Sequence, residues 1–249
     1  MSQTALILGA TSGIARALAG VLAQRGRRLI LAARDEEELE RIAADLRLRH
    51  EADVATERFD ALDFNSHEAF IERCIAQAGP TGLDAVVLCY GYMPPPDKVP
   101  DAEQVQRTFE VNCISAATVL ERIATHMSER GGGLIAGISS VAGDRGRQSN
   151  YIYGASKAAM SAYLQGLRNR LYRTGVHVLT IKPGIVHTAM TEGLVNPRSP
   201  LVATPERVAR DIERAMRRRR NVIYTPWFWR IIMKIIRTIP EFIFKRMKL

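Results

Sequence analysis

The sequence predicts an α/β fold: a doubly wound parallel sheet in a single domain, ending in an amphipathic C-terminal helical tail. Three observations predict it. Short apolar runs alternate with stretches of helical spacing, a glycine-rich turn follows the first apolar run, and 249 residues at 47% apolar content suffice for one large core. Strands alternating with helices pair in parallel and are covered on both faces, so ligands belong at the carboxyl ends of the strands.

Residues 4–8 form the first apolar run, ending at Gly9, and 14–22 come next with helical spacing. Residues 29–33 are again strand-like. In 36–48, Leu39, Ile42, Ala43 and Leu46 recur at helical intervals with acids early in the run, as the helix dipole prefers. Further apolar strands are expected at 84–89, 134–138, 177–181 and 222–224, separated by helical stretches. Pro94-Pro95-Pro96 and residues 196–204 read as loops over the carboxyl edge, where substrates are selected. The opening strand, glycine turn and helix give the arrangement a Rossmann-type character. The domain spans 1–225 with its substrate loops integral, leaving 226–249 as the tail.

Cys74, Cys89 and Cys113 are widely spaced and follow no secretory signal, which indicates neither disulfides nor a cysteine metal site and fits a reducing cytoplasm. His50, His67, His126, His177 and His187 lack ligand spacing, so no metal is expected. The net charge of +9 is local. From residue 214 onward there are eleven Lys or Arg against one acid, Glu241, whereas the first 213 residues hold 24 basic and 25 acidic side chains. A charged terminal segment points to a local partner surface rather than to an evenly basic domain.

Candidate chemistry centres on Tyr153-Gly154-Ala155-Ser156-Lys157, with Ser140 thirteen residues upstream. Residues four apart share a helix face, so the Lys157 ammonium is expected beneath the Tyr153 ring, lowering the pKa of a phenol that otherwise titrates near about 10. Ser140 adds a hydroxyl, and the three can converge on one carbonyl. The same spacing also occurs on ordinary helix faces, so the rest of the chain must support it. At the other end, Gly9-Ala10-Thr11-Ser12-Gly13-Ile14-Ala15 opens the first helix, where backbone N–H groups and the helix dipole favour a pyrophosphate. The second strand ends Ala33-Arg34-Asp35. Ala33 stands where an acid would bind the ribose of NAD, and Arg34 can pair with the 2′-phosphate of NADP, which favours NADPH; Asp35 keeps NADH open.

These ordered motifs resemble the short-chain dehydrogenase/reductase family over nearly the whole chain: the Gly-x-x-x-Gly turn with Ala15 in place of a third glycine, Asn112, Ser140, the Tyr153 and Lys157 run, then Pro183-Gly184 and Thr188. The resemblance implies hydride transfer from NAD(P)H to a ketone, with Tyr153 protonating the developing alkoxide and Ser140 holding the same oxygen. It implies that Lys157 lowers the Tyr153 pKa and bonds the nicotinamide ribose, and that Asn112 fixes a water relaying protons to Lys157. Asp60 would bond the adenine amino group, Gly91 would line the adenosine side, and Val186 and Thr188 would hold the nicotinamide carboxamide beyond Pro183-Gly184. Asp60 as a solvated loop acid and Thr188 as a helix cap are the plainer readings. The family's Asn-Ala-Gly turn is here Cys89-Tyr90-Gly91, which leaves contacts there open.

The runs 59–63, 143–153 and 224 onward are similar to a branch of that family, the decaprenylphosphoryl-2-keto-ribose reductases, whose turn also lacks the asparagine. That resemblance implies a lipid-linked keto sugar as substrate, a place in cell-wall biosynthesis and a flavin oxidase partner. Arg145 and Arg147, between the catalytic serine and tyrosine, would receive a substrate phosphate; exposed loop arginines are the alternative. In 227–239, Arg230, Lys234 and Arg237 fall within an arc of about 60° and leave the rest of the helix apolar and aromatic. With Arg217 to Arg220, Lys245, Arg246 and Lys248 this suits an in-plane helix on an anionic membrane, while the charges and Pro240 argue against a span. Packing on the domain or on another subunit of a homo-oligomer competes; nucleic acid is not expected. Placement is cytoplasmic, with the inner face of the membrane as the peripheral alternative. Competing functions are a soluble ketoreductase of acyl or steroid-like carbonyls and a non-enzymatic nucleotide sensor or scaffold.

Overall fold

A computed structural model of the chain describes residues 3–95 and 99–247; Pro96 of the predicted loop cluster and Lys248 of the basic tail lie outside the described residues. The elements run β1 (Thr4–Leu8), α1 (Gly13–Ala23), β2 (Arg28–Ala33), α2 (Glu36–His50), β3 (Val54–Arg58), α3 (His67–Ala78), β4 (Leu83–Leu88), α4 (Ala102–Phe109) and α5 (Ser115–Glu129). They continue with β5 (Gly133–Ile138), α6 (Tyr151–Arg170), β6 (Val176–Pro183), β7 (Ile185–Val186), β8 (Val202–Ala203), α7 (Pro205–Arg217), β9 (Val222–Thr225), α8 (Trp229–Thr238) and α9 (Glu241–Phe244). Seven strands form one parallel sheet in the order β3-β2-β1-β4-β5-β6-β9. The order reverses between β1 and β4, and the crevice at that switch point is where a doubly wound sheet takes a dinucleotide.

Alternation along β1 explains the two layers. Ala5 and Ile7 join a core with α1, α2 and α7, while Leu6 and Leu8 join a second core with α3, α5 and α6. Both faces of the sheet are therefore dry, as a parallel sheet requires.

The structure corrects the sequence reading at β3 and at 196–204, and it packs one face of the tail helix on the domain, an alternative the sequence left open. β3 (Val-Ala-Thr-Glu-Arg) was not expected, because as an edge strand it carries polar side chains and shows no apolar run. The stretch 196–204, read as loop, contributes β8, which pairs with β7. The tail helix is not free on all sides. Trp229 and Met233 are buried against Val141, with Ile185, Tyr224, Phe228, Ile232 and Ile236 packed around them, so one face docks on the domain beside the catalytic loop. Ile231 and Ile235 on the other side stay exposed. No helix among the described residues is long and apolar enough to cross a membrane.

Candidate active site

Ser140 leaves the end of β5 and its hydroxyl accepts from Ala142 N at 3.1 Å, starting a tight turn over Val141–Asp144. α6 packs on this turn backbone to backbone. A β-carbon on Gly143 would sit 2.7 Å from Ala158 N, and one on Gly154 would sit 2.8 Å from Ala142 O, so only glycine at both positions lets turn and helix meet. That approach carries Tyr153 to Ser140. Ser139 tightens it, its hydroxyl donating to Lys157 O at 2.8 Å and bonding Ser161 Oγ at 2.7 Å.

The electrostatics differ from the sequence expectation. Burial pushes the Tyr153 phenol up to about 12, opposed by its hydrogen bond with Ser140, and Lys157 does not bring it down. The Lys157 Nζ lies 5.7 Å from the centre of the Tyr153 ring and donates to Ile138 O at 3.1 Å. Its own pKa is pushed down to about 8 by burial, with Cys89 and Cys113 opposing. At neutral pH the site therefore holds a protonated phenol beside a mostly charged amine, which suits Tyr153 as a proton donor.

Asn112 sits in a π turn, Glu110–Ile114, between α4 and α5, an irregularity often found at functional sites. Its amide grips the Tyr92 backbone from both sides, accepting from Tyr92 N at 2.8 Å and donating to Tyr92 O at 2.7 Å, and it also donates to Ser156 Oγ at 2.9 Å. Both amide protons are thus engaged in positioning. The unusual Cys89-Tyr90-Gly91 turn is held in this way. Tyr90 adds a bond to Ser115 Oγ at 2.9 Å and packs on Phe59.

The predicted cofactor residues gather at the switch-point crevice. Gly9, Thr11, Ser12, Arg34, Asp60 and Gly91 line one cleft of about 740 Å³. Gly9 takes a left-handed φ of 77°, and a β-carbon there would meet Tyr90 N at 2.6 Å; Ser12 caps α1, accepting from Ala15 N at 3.4 Å. Thr188 stands opposite, with its methyl 3.5 Å from where a Gly13 β-carbon would lie. Ile14 packs on the core beneath the turn, and Val186 is buried in β7 after Pro183 and Gly184. A cradle closed to side chains at the start of a helix fits a dinucleotide phosphate. Asp60 accepts from Leu62 N at 3.0 Å and remains on the cleft wall. Asp35 is spent as the α2 cap, accepting from Glu38 N at 2.9 Å. Sequence reasoning missed Arg58, Tyr92, Arg107 and Met190, which share the cleft. Arg58 ends the unpredicted β3, so no signal marked it.

Arg145 corrects another expectation. Its guanidinium donates to Ile236 O at 2.5 Å and Ile239 O at 2.6 Å, pairs with Glu241 at 2.9 Å and lies 3.7 Å over the Phe244 ring. It clamps the tail, with three of its five N–H donors engaged there. Arg147 is half-buried, and its Nε lacks a protein partner.

A sequence profile described as short chain dehydrogenase matches residues 3–198. The chain belongs to the short-chain dehydrogenase family. It is 35% identical over 243 residues to an uncharacterized oxidoreductase of Mycobacterium tuberculosis, covering 97% of this chain and 96% of that protein. It is 36% identical over 250 residues to another from Streptomyces coelicolor, covering 98% and 96%. Among solved structures, an actinorhodin polyketide ketoreductase with NADPH is similar at 27% identity and a TM-score of 0.77, covering 86% of this chain and 90% of that one. A Sphingobium yanoikuyae short-chain dehydrogenase in complex with NADPH shares the fold, with a TM-score of 0.81 at 24% identity, covering 96% and 97%. Members of this family act on CH–OH and C=O groups, and this chain is an oxidoreductase of that kind, which removes the non-enzymatic reading.

Proposed function

We propose that the chain is an NADPH-dependent ketoreductase whose substrate is a lipid-linked keto sugar, as in the decaprenylphosphoryl-2-keto-ribose reductases. The observation that carries the reductase part is the convergence of Ser140, Tyr153 and Lys157 where Gly143 and Gly154 let the catalytic turn and α6 meet backbone to backbone. When bound, the nicotinamide supplies a hydride to the carbonyl carbon. Tyr153 gives its phenolic proton to the carbonyl oxygen as charge develops there, and the Ser140 hydroxyl donates to the same oxygen. Lys157, mostly charged at neutral pH, would bond the cofactor ribose. The glycine turn and the N-terminus of α1 would hold the pyrophosphate, Asp60 the adenine, and Val186 and Thr188 the carboxamide.

Arg34 and Arg58 on the cleft wall support NADPH over NADH, as does the use of Asp35 as a helix cap. The NADPH held by the polyketide ketoreductase supports it too. For the lipid-linked part, support comes from Arg147 on the catalytic loop, with a buried Nε lacking a protein partner, and from the apolar tail beside that loop. A membrane surface is where such a substrate is met, and the reading includes a flavin oxidase supplying the ketone, a role in cell-wall biosynthesis and a homo-oligomer. A second reading, a soluble ketoreductase of acyl ketones, is favoured by the polyketide ketoreductase likeness.

The test is NADPH oxidation with keto sugars on polyprenyl phosphate and with acyl and steroid-like ketones, in detergent and without. Turnover abolished by Tyr153→Phe is expected. Substantial turnover by that variant, or a preference for soluble acyl ketones, would overturn the catalytic or the substrate part respectively.

A further inference from the structure

Away from the catalytic cleft, the molecule concentrates charge that the reductase chemistry does not use. The edge strand β9, the chain after it and one side of α8 enclose a groove of about 860 Å³ whose charged and aromatic lining is Arg220, Tyr224, Trp227, Arg230, Lys234 and Arg237. Four cations line it and no acid does. None of the four forms an ion pair among the described residues, and two carboxylates on neighbouring segments of the chain are answered elsewhere: Asp144 by Lys182 and the Tyr224 hydroxyl, Glu241 by Arg145. Uncompensated like charges in a walled groove raise its potential and favour an anion.

The flank of the groove is apolar. Trp227, Ile231, Ile235 and Phe242 are each more than half exposed, at 67%, 52%, 60% and 63%, beside the partly exposed Ile243. Around α8 the cationic stripe borders one side of the buried face (Trp229, Ile232, Met233, Ile236), and Ile231 and Ile235 fill the outer side between the stripe and Ile232, so the helix presents charge and apolar groups to the same outside surface. Contiguous exposed apolar groups of this kind mark an interaction site. A small soluble phosphate would use the cations and leave the apolar flank bare. A second copy joined across a two-fold axis would bring the same cations face to face.

We propose that this groove and its apolar flank dock on an anionic bilayer, with lipid phosphate head groups in the groove and Trp227, Ile231, Ile235 and Phe242 at the acyl boundary. This deepens the membrane placement above but does not depend on which ketone is reduced.

The test is co-sedimentation of the full chain with vesicles of phosphatidylglycerol and phosphatidylcholine against vesicles of phosphatidylcholine alone, at low and high salt. Binding only to the anionic vesicles, lost at high salt, is expected. The triple variant Arg230→Ala, Lys234→Ala, Arg237→Ala should bind about a hundredfold more weakly. Trp227→Ala should also weaken binding, and both variants should keep wild-type turnover of a water-soluble ketone, which separates this result from a failure of the reductase reading. Wild-type protein left in the supernatant, or a triple variant that sediments like wild type, would overturn the proposal. So would release from vesicles by millimolar inorganic phosphate at matched ionic strength, which assigns the groove to free phosphate, or a change of oligomeric mass in the triple variant with vesicle binding intact, which assigns it to a second copy.

Discussion

The indole of Trp229 lies so close to Gly184 that a β-carbon on that glycine would overlap the ring. Gly184 comes after Pro183 at the end of β6, in the strip that leads to Val186 and Thr188, so the C-terminal helix backs that strip from behind. Gly184→Ala should therefore push α8 away, costing about 1–3 kcal/mol as overpacking does. Thermal unfolding of Gly184→Ala, Trp229→Ala and the double variant checks this. The glycine substitution should cost much less once the ring is gone.

Ser140→Ala should reduce ketone turnover by about a hundredfold or more, the usual effect of removing one donor to a developing oxyanion. Tyr153→Phe should lose nearly all turnover while NADPH still binds, as cofactor fluorescence would report.

Lys157 gives the reaction its pH dependence. Its pKa is pushed down to about 8 by burial, so the charge is present below that value and lost as pH rises through it. Tyr153, up to about 12, keeps its proton over the same interval. The rate of ketone reduction should therefore fall as pH rises through about 8, with no second limb until the phenol ionises. Lys157→Met should remove this limb together with most of the rate, measured as kcat/KM against pH.

Arg145→Ala should free the tail. The carbonyls of Ile236 and Ile239 lose a charged donor, a change worth about 1–3 kcal/mol. Limited proteolysis should then cut after β9 sooner than in the wild type, and Arg145→Lys should restore only part of the protection because an ammonium lacks the planar fork.

Arg34→Ala with Arg58→Ala should raise KM for NADPH by about tenfold or more and leave NADH nearly unchanged, since the paired charge acts on the 2′-phosphate alone.

Much of this was legible in the sequence because it rests on local signals. Apolar runs marked six of the seven sheet strands, the Gly9 turn marked the phosphate end, and the Tyr153 and Lys157 interval marked one helix face. The hidden features depend on partners distant in the chain. β3 is polar because its outer edge faces solvent, so Arg58 went unseen. Arg145 looked like a substrate group because nothing in the loop reveals that the carbonyls it meets lie more than ninety residues away. The sign of the Tyr153 shift was missed for the same reason. Spacing shows that a cation is near, but only packing shows that burial outweighs it.

The π turn at Glu110–Ile114 makes the chain sensitive to indels even at its exposed positions, where point changes would be mild. It holds one residue more than an α-helical turn needs, and Asn112 depends on that surplus to reach the Tyr92 backbone. Deleting one residue between 110 and 114 would turn the π turn into a regular α-helical turn and remove the bulge that carries Asn112 to the Tyr92 backbone. The Gly91 turn would lose its brace although Ser140, Tyr153 and Lys157 remained. Length in this segment is thus under tighter constraint than identity at its exposed positions, and homologous chains should be aligned there by residue count before residue type.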